Sequence, residues 1–305
     1  MGNQKAKLYV ITLFICLTLT LLLPFFSTIG TGSKLVQLAI AQEATKTIKI
    51  MSCDPIPANI VPGNPHWDIY RRLVNKVAWP GTKMDYCGLA KSYYSYPAGA
   101  WRILVNDVGI AEECYLAEKR GYDAFLINCV LDGHLKACRS LVNIPVVAPT
   151  ESAILLALTQ GHKFSIIVTN PPDIAEHEHK VKEYGFADRL ASVRCPPEFK
   201  KENYFMMQFQ DPKRFCNIVR AEMEKAVLED RAETVWFACT IGCSILTENG
   251  ITEVNGSQVI NPVAAAIKRG ETLVSLKRSL GLSVSRNSVY ASPPPGWEKE
   301  RAIQE

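Results

Sequence analysis

Two cysteines stand out by their surroundings. Asp123-Ala-Phe-Leu-Ile-Asn-Cys129 and Glu233-Thr-Val-Trp-Phe-Ala-Cys239 share one pattern: an acid, five residues that read as a buried strand, and a cysteine six positions after the acid. Two thiols facing each other across a cleft suit the inversion of a carbon acid without a cofactor, which needs a base on one face and an acid on the other. A free thiol titrates near about 8.5, and N–H groups at a strand-to-helix turn lower that value toward neutral. The carbanion must then be held as an enolate by preorganised donors. Each cysteine is followed by a suitable turn. Gly133 and Gly242 are expected to let the backbone bend, and Thr240 offers a hydroxyl. Pro149 to Ala153 reads as a helix N-terminus with Thr150 as cap, either simply capping the helix or holding a substrate oxygen on open N–H groups. His134 reads as a polarising group or a surface residue, and His177 and His179 as an exposed helix face. Tyr93, Tyr94 and Tyr96 suit a pocket wall or ordinary packing. Cys239 and Cys243 form a C-x3-C with no second such pair, which argues against zinc.

The elements that must carry these residues alternate. Short β-branched runs at 47–52, 82–87, 123–129, 144–149, 164–170, 190–195, 233–239 and 258–262 read as strands. Amphipathic segments at 107–120, 152–160, 175–184 and 211–230 read as helices covering a mainly parallel sheet. The order repeats weakly. One strand ends in a turn with Asp54-Pro55 and another in a turn with Asn170-Pro171, and about 75 residues from each comes a cysteine motif. Two α/β lobes, each with a cysteine at the C-terminal end of a strand, place both thiols where open α/β sheets bind ligands.

With 305 residues, 48% of them hydrophobic, the chain can bury a large core. Its net charge of +4 is scattered, so no basic stripe points to nucleic acid. Lys5 and Lys7 precede an uncharged run from Leu8 to Phe26, which reads as a signal peptide or an uncleaved membrane anchor. Either places the body outside the cytoplasm. The ten cysteines leave their pairing open, as the sequence leaves open whether the chain self-associates.

The segment from Gly121 to Leu158, the run ETVWFACT and the run VINPVAAAIK together resemble the aspartate/glutamate/hydantoin racemase superfamily, and within it hydantoin racemase. The resemblance spans roughly residues 46 to 270. It implies two pseudo-symmetric lobes with the active-site cleft between them, a small-molecule substrate, no cofactor, and Cys129 and Cys239 as the acid/base pair. It also implies an anion-contact role for Thr240 and places Thr150 and Glu151 near the cleft. Asp54, Val130 and Asn170 complete the expected substrate-binding set. Some positions depart from the family pattern. Cys53-Asp54-Pro55 stands where the family has Asn-Pro-Asn, Ala238 replaces the usual glycine, and Val130 replaces a small or hydroxyl residue. Cys243 is a rival for the second catalytic position. The expected division is a targeting segment at 1–44, a first lobe from 45–147 with 258–305, and a second lobe at 148–257. The tail from Ser283 packs on the first lobe or hangs free. Alternatives to a racemase are a related decarboxylase or cis-trans isomerase, a catalytically dead relative, or an exported solute-binding protein.

Overall fold

The structure, a computed structural model, describes residues 47–57, 65–93, 99–200 and 203–300. The run 8–26, which carries the targeting expectation, lies outside them, as do Tyr94 and Tyr96. Among the described residues no helix is long and apolar enough to cross a membrane.

The first lobe's sheet is built from β1 (Ile48–Asp54), β2 (Thr82–Gly88), β3 (Ala124–Ile127) and β4 (Val146–Val147). Between these strands run α1 (Pro65–Val77), α2 (Ala100–Lys119) and α3 (Leu135–Leu141). After β4 come α4 (Pro149–Gln160), β5 (Phe164–Ile167), α5 (Asp173–Glu183), β6 (Leu190–Arg194), α6 (Tyr204–Gln210) and α7 (Pro212–Leu228). The chain continues through β7 (Thr234–Phe237), α8 (Thr240–Glu248), β8 (Glu253–Val254), β9 (Ser257–Val259) and α9 (Pro262–Leu280).

Two α/β lobes result. The first sheet has the order β2-β1-β3-β4 and is parallel throughout, and the second has the order β6-β5-β7-β9-β8. Among the described residues only the β8–β9 pair is antiparallel, and β8 is a two-residue strand too short to leave a sequence signal. All four residues of β3, of β5 and of β7 are buried, as expected of central strands covered on both faces.

The acids of the repeat prove to be strand anchors. Asp123 accepts the Lys49 N–H at 2.8 Å and so ties the start of β3 to β1, and Glu233 accepts the His162 N–H at 2.8 Å just before β5. Both stand at the opposite strand ends from the cysteines.

Helix limits follow local chemistry. Asn261 caps α9 by accepting the Ala264 N–H, Pro262 occupies its first turn, and Gly281 closes it at φ 69. α2 begins at Ala100, earlier than the expected 107, because its first turns expose Trp101 and Leu104 and hide the amphipathic pattern. The C-terminal tail packs on the first lobe. Arg286 donates to the carbonyls of Arg139 and Val142, and Trp297 meets the Tyr115 ring edge-on at 5.2 Å.

Candidate active site

Cys129 and Cys239 lie two residues past the ends of β3 and β7. β3 sits between β1 and β4, and β7 between β5 and β9, so the two thiols occupy equivalent places in the two sheets. Both line one cavity of about 360 Å³, together with Asp54, Val130, Asn170 and Thr240. That volume suits a small organic molecule.

Each thiol receives backbone donors from the turn that follows it. Cys239 caps α8, and the Gly242 N–H reaches its Sγ at 3.5 Å, with the Ile241 N–H adding to it. The Leu131 N–H does the same for Cys129. Burial works in the other direction. It pushes Cys239 up to about 11 and Cys129 further above its ordinary value, while the N–H donors pull both down. The Cys239 thiol also donates to Oε1 of the buried Gln208 at 3.8 Å, leaving that amide's Nε2 without a partner. Cys243 is turned away from the cavity, buried and donating to the Thr240 carbonyl at 3.2 Å and to Asn261 Oδ1 at 3.6 Å.

A buried polar bridge joins the two cysteine motifs. Asn128, the residue before Cys129, donates to Asp54 Oδ2 at 3.1 Å. Tyr70 of α1 is hydrogen-bonded both to Asp54 and to the hydroxyl of Thr240, the residue after Cys239, the latter at 2.7 Å. All four side chains are buried. Burial pushes the Asp54 carboxyl up to about 8, against the pull of the Tyr70 and Asn128 donors, so it is largely uncharged near neutral pH. Sequence reasoning missed both, since Tyr70 lies in no motif and Asn128 reads as one more residue of the buried strand before Cys129.

Several expectations need correction. Thr150 and Glu151 are not among the cavity-lining residues. The α4 N-terminus has no open N–H groups at these positions, because Asp132 accepts Thr150 N–H at 2.9 Å and Glu151 N–H at 2.7 Å. Nor is Thr150 the cap; Ala148 holds that position, and the Thr150 hydroxyl donates to the Val130 carbonyl. Glu151 instead pairs with Arg139 and Arg269. Gly133 and Gly242 do not supply the bend. The left-handed residues at the first turn are Asp132 and His134, at φ 49 and 43, and Gly133 is needed because a Cβ there would lie 2.0 Å from Asp107 Oδ1. Gly242 sits within α8, where a Cβ would meet the Phe237 ring at 2.5 Å.

His177 is not on an exposed face. It is buried at the cavity wall, its Nδ1 donates to the Asp173 carbonyl at 2.8 Å, and its Nε2 has no partner. The backbone carbonyl fixes this tautomer, since it can only accept. His134 stands outside the cavity lining, 3.2 Å from Asp107, which does line it. Tyr93 packs edge-on against Trp101 rather than lining the cavity. The cavity also takes in Asp107, Asp173, Arg102, Tyr204 and Phe205, residues that no local pattern singled out.

Comparison with known proteins gives a consistent result. Residues 90–270 match the family model described as Asp/Glu/Hydantoin racemase. The chain is 31% identical over 188 residues to a hydantoin racemase of Pseudomonas sp. (strain NS671), covering 61% of this chain and 70% of that protein. It is 31% identical over 187 residues to a hydantoin racemase of Rhizobium meliloti, covering 61% and 72%. The structure resembles that of allantoin racemase from Pseudomonas fluorescens with a TM-score of 0.67 and 25% identity, over 81% of this chain and 98% of that one.

Proposed function

Since the chain belongs to the Asp/Glu/hydantoin racemase family, we propose that it inverts the stereocentre of a hydantoin-type cyclic ureide, with Cys129 and Cys239 as the acid/base pair. The observation that carries this reading is the convergence of two equivalent strand-end thiols, each with backbone N–H donors, on one cavity. In one direction the Cys239 thiolate takes the proton from the carbon next to the carbonyl. The electron pair moves onto the carbonyl oxygen as an enolate, and the Cys129 thiol returns a proton to the opposite face. The reverse direction exchanges the roles. Asp54, kept uncharged by burial, donates its proton in a hydrogen bond to the enolate oxygen.

The charge of the cavity wall supports a ureide over a free amino acid. Asp54, Asp107 and Asp173 line it with Asn128 and Asn170, and Arg102 is the lining's cationic side chain among the described residues. Ureide N–H groups suit such a wall, whereas an amino acid's carboxylate would face carboxyl groups. The sequence further supports an enzyme exported by residues 8–26 and lobes divided at 147/148; the second division falls after β9 rather than at the expected 257/258, since Gln258 and Val259 pair with β7 in the second sheet.

The deciding experiment follows the α-proton of 5-substituted hydantoins by proton NMR in deuterated buffer with the full-length protein. Loss of exchange in both Cys129→Ser and Cys239→Ser is expected. Full exchange in both single variants would overturn the two-thiol mechanism, and tight binding without exchange in the wild type would favour a solute-binding role.

A further inference from the structure

Four of the nine described cysteines, all present as free thiols, meet in two pairs within one apolar cluster of the first lobe, and the proposed chemistry uses none of them. Cys53 and Cys87 are register partners on the adjacent parallel strands β1 and β2. Strand spacing sets their Cα atoms about 4.8 Å apart, within the roughly 4.4–6.8 Å that a disulfide spans. Residues in register point to the same face, and the Cys53 thiol, which donates to the Asp54 carbonyl at 3.9 Å, also interacts with the Cys87 side chain. In the same cluster, Cys114 of α2 is hydrogen-bonded to Cys138 of α3, with its Sγ also 4.0 Å from the Cys138 carbonyl.

The other thiols are engaged elsewhere. Cys239 donates to Gln208, Cys243 to Thr240 and Asn261, and Cys195 to the Pro196 carbonyl, while Cys216 packs in the aromatic cluster of the second lobe.

We propose that in the oxidised protein Cys53–Cys87 and Cys114–Cys138 are disulfides, while Cys129 and Cys239 remain thiols. The oxidant is a low-molecular-weight disulfide of the oxidised glutathione class. The half-exposed Cys87 attacks it as a thiolate, forms a mixed disulfide and releases one glutathione thiol. The Cys53 thiolate then attacks the Cys87 sulfur and releases the second. Two protein thiols are oxidised to one disulfide, and one glutathione disulfide is reduced to two thiols. Cys114 and Cys138 are closed off from solvent in the folded protein, so the same exchange joins them before the core closes. Both bonds lie beside the active-site elements, since Cys53 precedes Asp54 on β1 and α2 carries Arg102 and Asp107. Thiol chemistry in the cavity thus becomes compatible with an oxidising compartment, because the two thiol pairs of the first lobe are joined within themselves.

To test this, the full-length protein is reduced, unfolded, and refolded in oxidised and reduced glutathione. Free thiols are then alkylated at acid pH, and the protein is digested without reductant for mass spectrometry. Linked peptides joining Cys53 to Cys87 and Cys114 to Cys138 are expected, with six of the ten cysteines alkylated, Cys129 and Cys239 among them. Any other pairing of the four, four alkylated thiols in their place, or a bond to Cys129 or Cys239 would overturn the proposal. Cys87→Ala is expected to free Cys53 alone, and Cys138→Ala to free Cys114 alone. Where either variant fails to fold, the wild-type map decides.

Discussion

Replacing Asp54 by asparagine tests whether an uncharged carboxyl and a thiolate act together. Asp54 loses its proton near about 8 and Cys239 becomes a thiolate only toward about 11, so the productive pair is a minor population. The fraction holding both an uncharged Asp54 and a Cys239 thiolate rises tenfold per pH unit up to about 8. It then stays level until Cys239 itself is titrated. In Asp54→Asn the amide still donates a hydrogen bond but does not titrate, so kcat/KM keeps climbing until Cys239 titrates, somewhat below about 11 because the Asp54 charge that raises it is gone. Between pH 8 and pH 10 the wild type should gain less than about twofold and the variant up to roughly 90-fold, from the two titrations alone. Initial rates of optical-rotation change over pH 6 to 10.5 measure both profiles. A break near pH 8 that persists in Asp54→Asn would refute the reasoning, as would a wild-type profile that rises without a break. Stability gives a second readout with a defined sign. The folded carboxyl titrates above its unfolded value of 3.8, so its contribution is complete below that value and is lost as pH rises to about 8. Asp54→Asn should therefore gain on the wild type in urea unfolding from pH 5 to pH 9.

Three substitutions test the supports of the site. Asp132→Ala leaves the Thr150 and Glu151 N–H groups and the Tyr184 hydroxyl without their acceptor. Three lost bonds at about 1–3 kcal/mol each, less the relief of a buried carboxyl, predict a net loss of about 3 kcal/mol in urea unfolding; a loss below about 1 kcal/mol would contradict it. Gly242→Ala drives a methyl to 2.5 Å from the Phe237 ring and 3.0 Å from the Phe215 ring. Overpacking of about 1–3 kcal/mol should outweigh a gain of roughly 1 kcal/mol in helix propensity, so a Tm at or above that of the wild type would count against this packing. In Glu151→Gln, Arg139 and Arg269 lose the carboxylate between them. A cost of about 3 kcal/mol at neutral pH is expected. Burial pushes Glu151 up, but the two arginines outweigh it and hold the carboxyl below its ordinary 4.5. The cost should therefore be present above that pH and shrink as pH falls through the folded value, as an acid titration of both proteins would show.

The strands and the two cysteine motifs were legible in the sequence because they depend on local pattern. A central strand covered on both faces reads as a near-continuous apolar run, and β3 is one, while β5 and β7 each add a single small buried hydroxyl residue, Ser165 and Thr234. The equal acid-to-cysteine spacing reflects a mechanical fact, since each acid fixes the start of a strand and the cysteine emerges past its end. What the pattern did not contain is direction. Cys239 and Cys243 are four residues apart, and only the packing of α8 aims one at the cavity and buries the other against Asn261. His177 reads as polar and exposed in AEHEHK, yet α5 presents it to the cavity wall. The Asn128–Asp54–Tyr70–Thr240 bridge and the capture of the α4 N-terminus by Asp132 join residues far apart in the chain. Such contacts exist only once the lobes have closed, because a buried polar group must find whichever partner the packed fold brings within hydrogen-bonding distance.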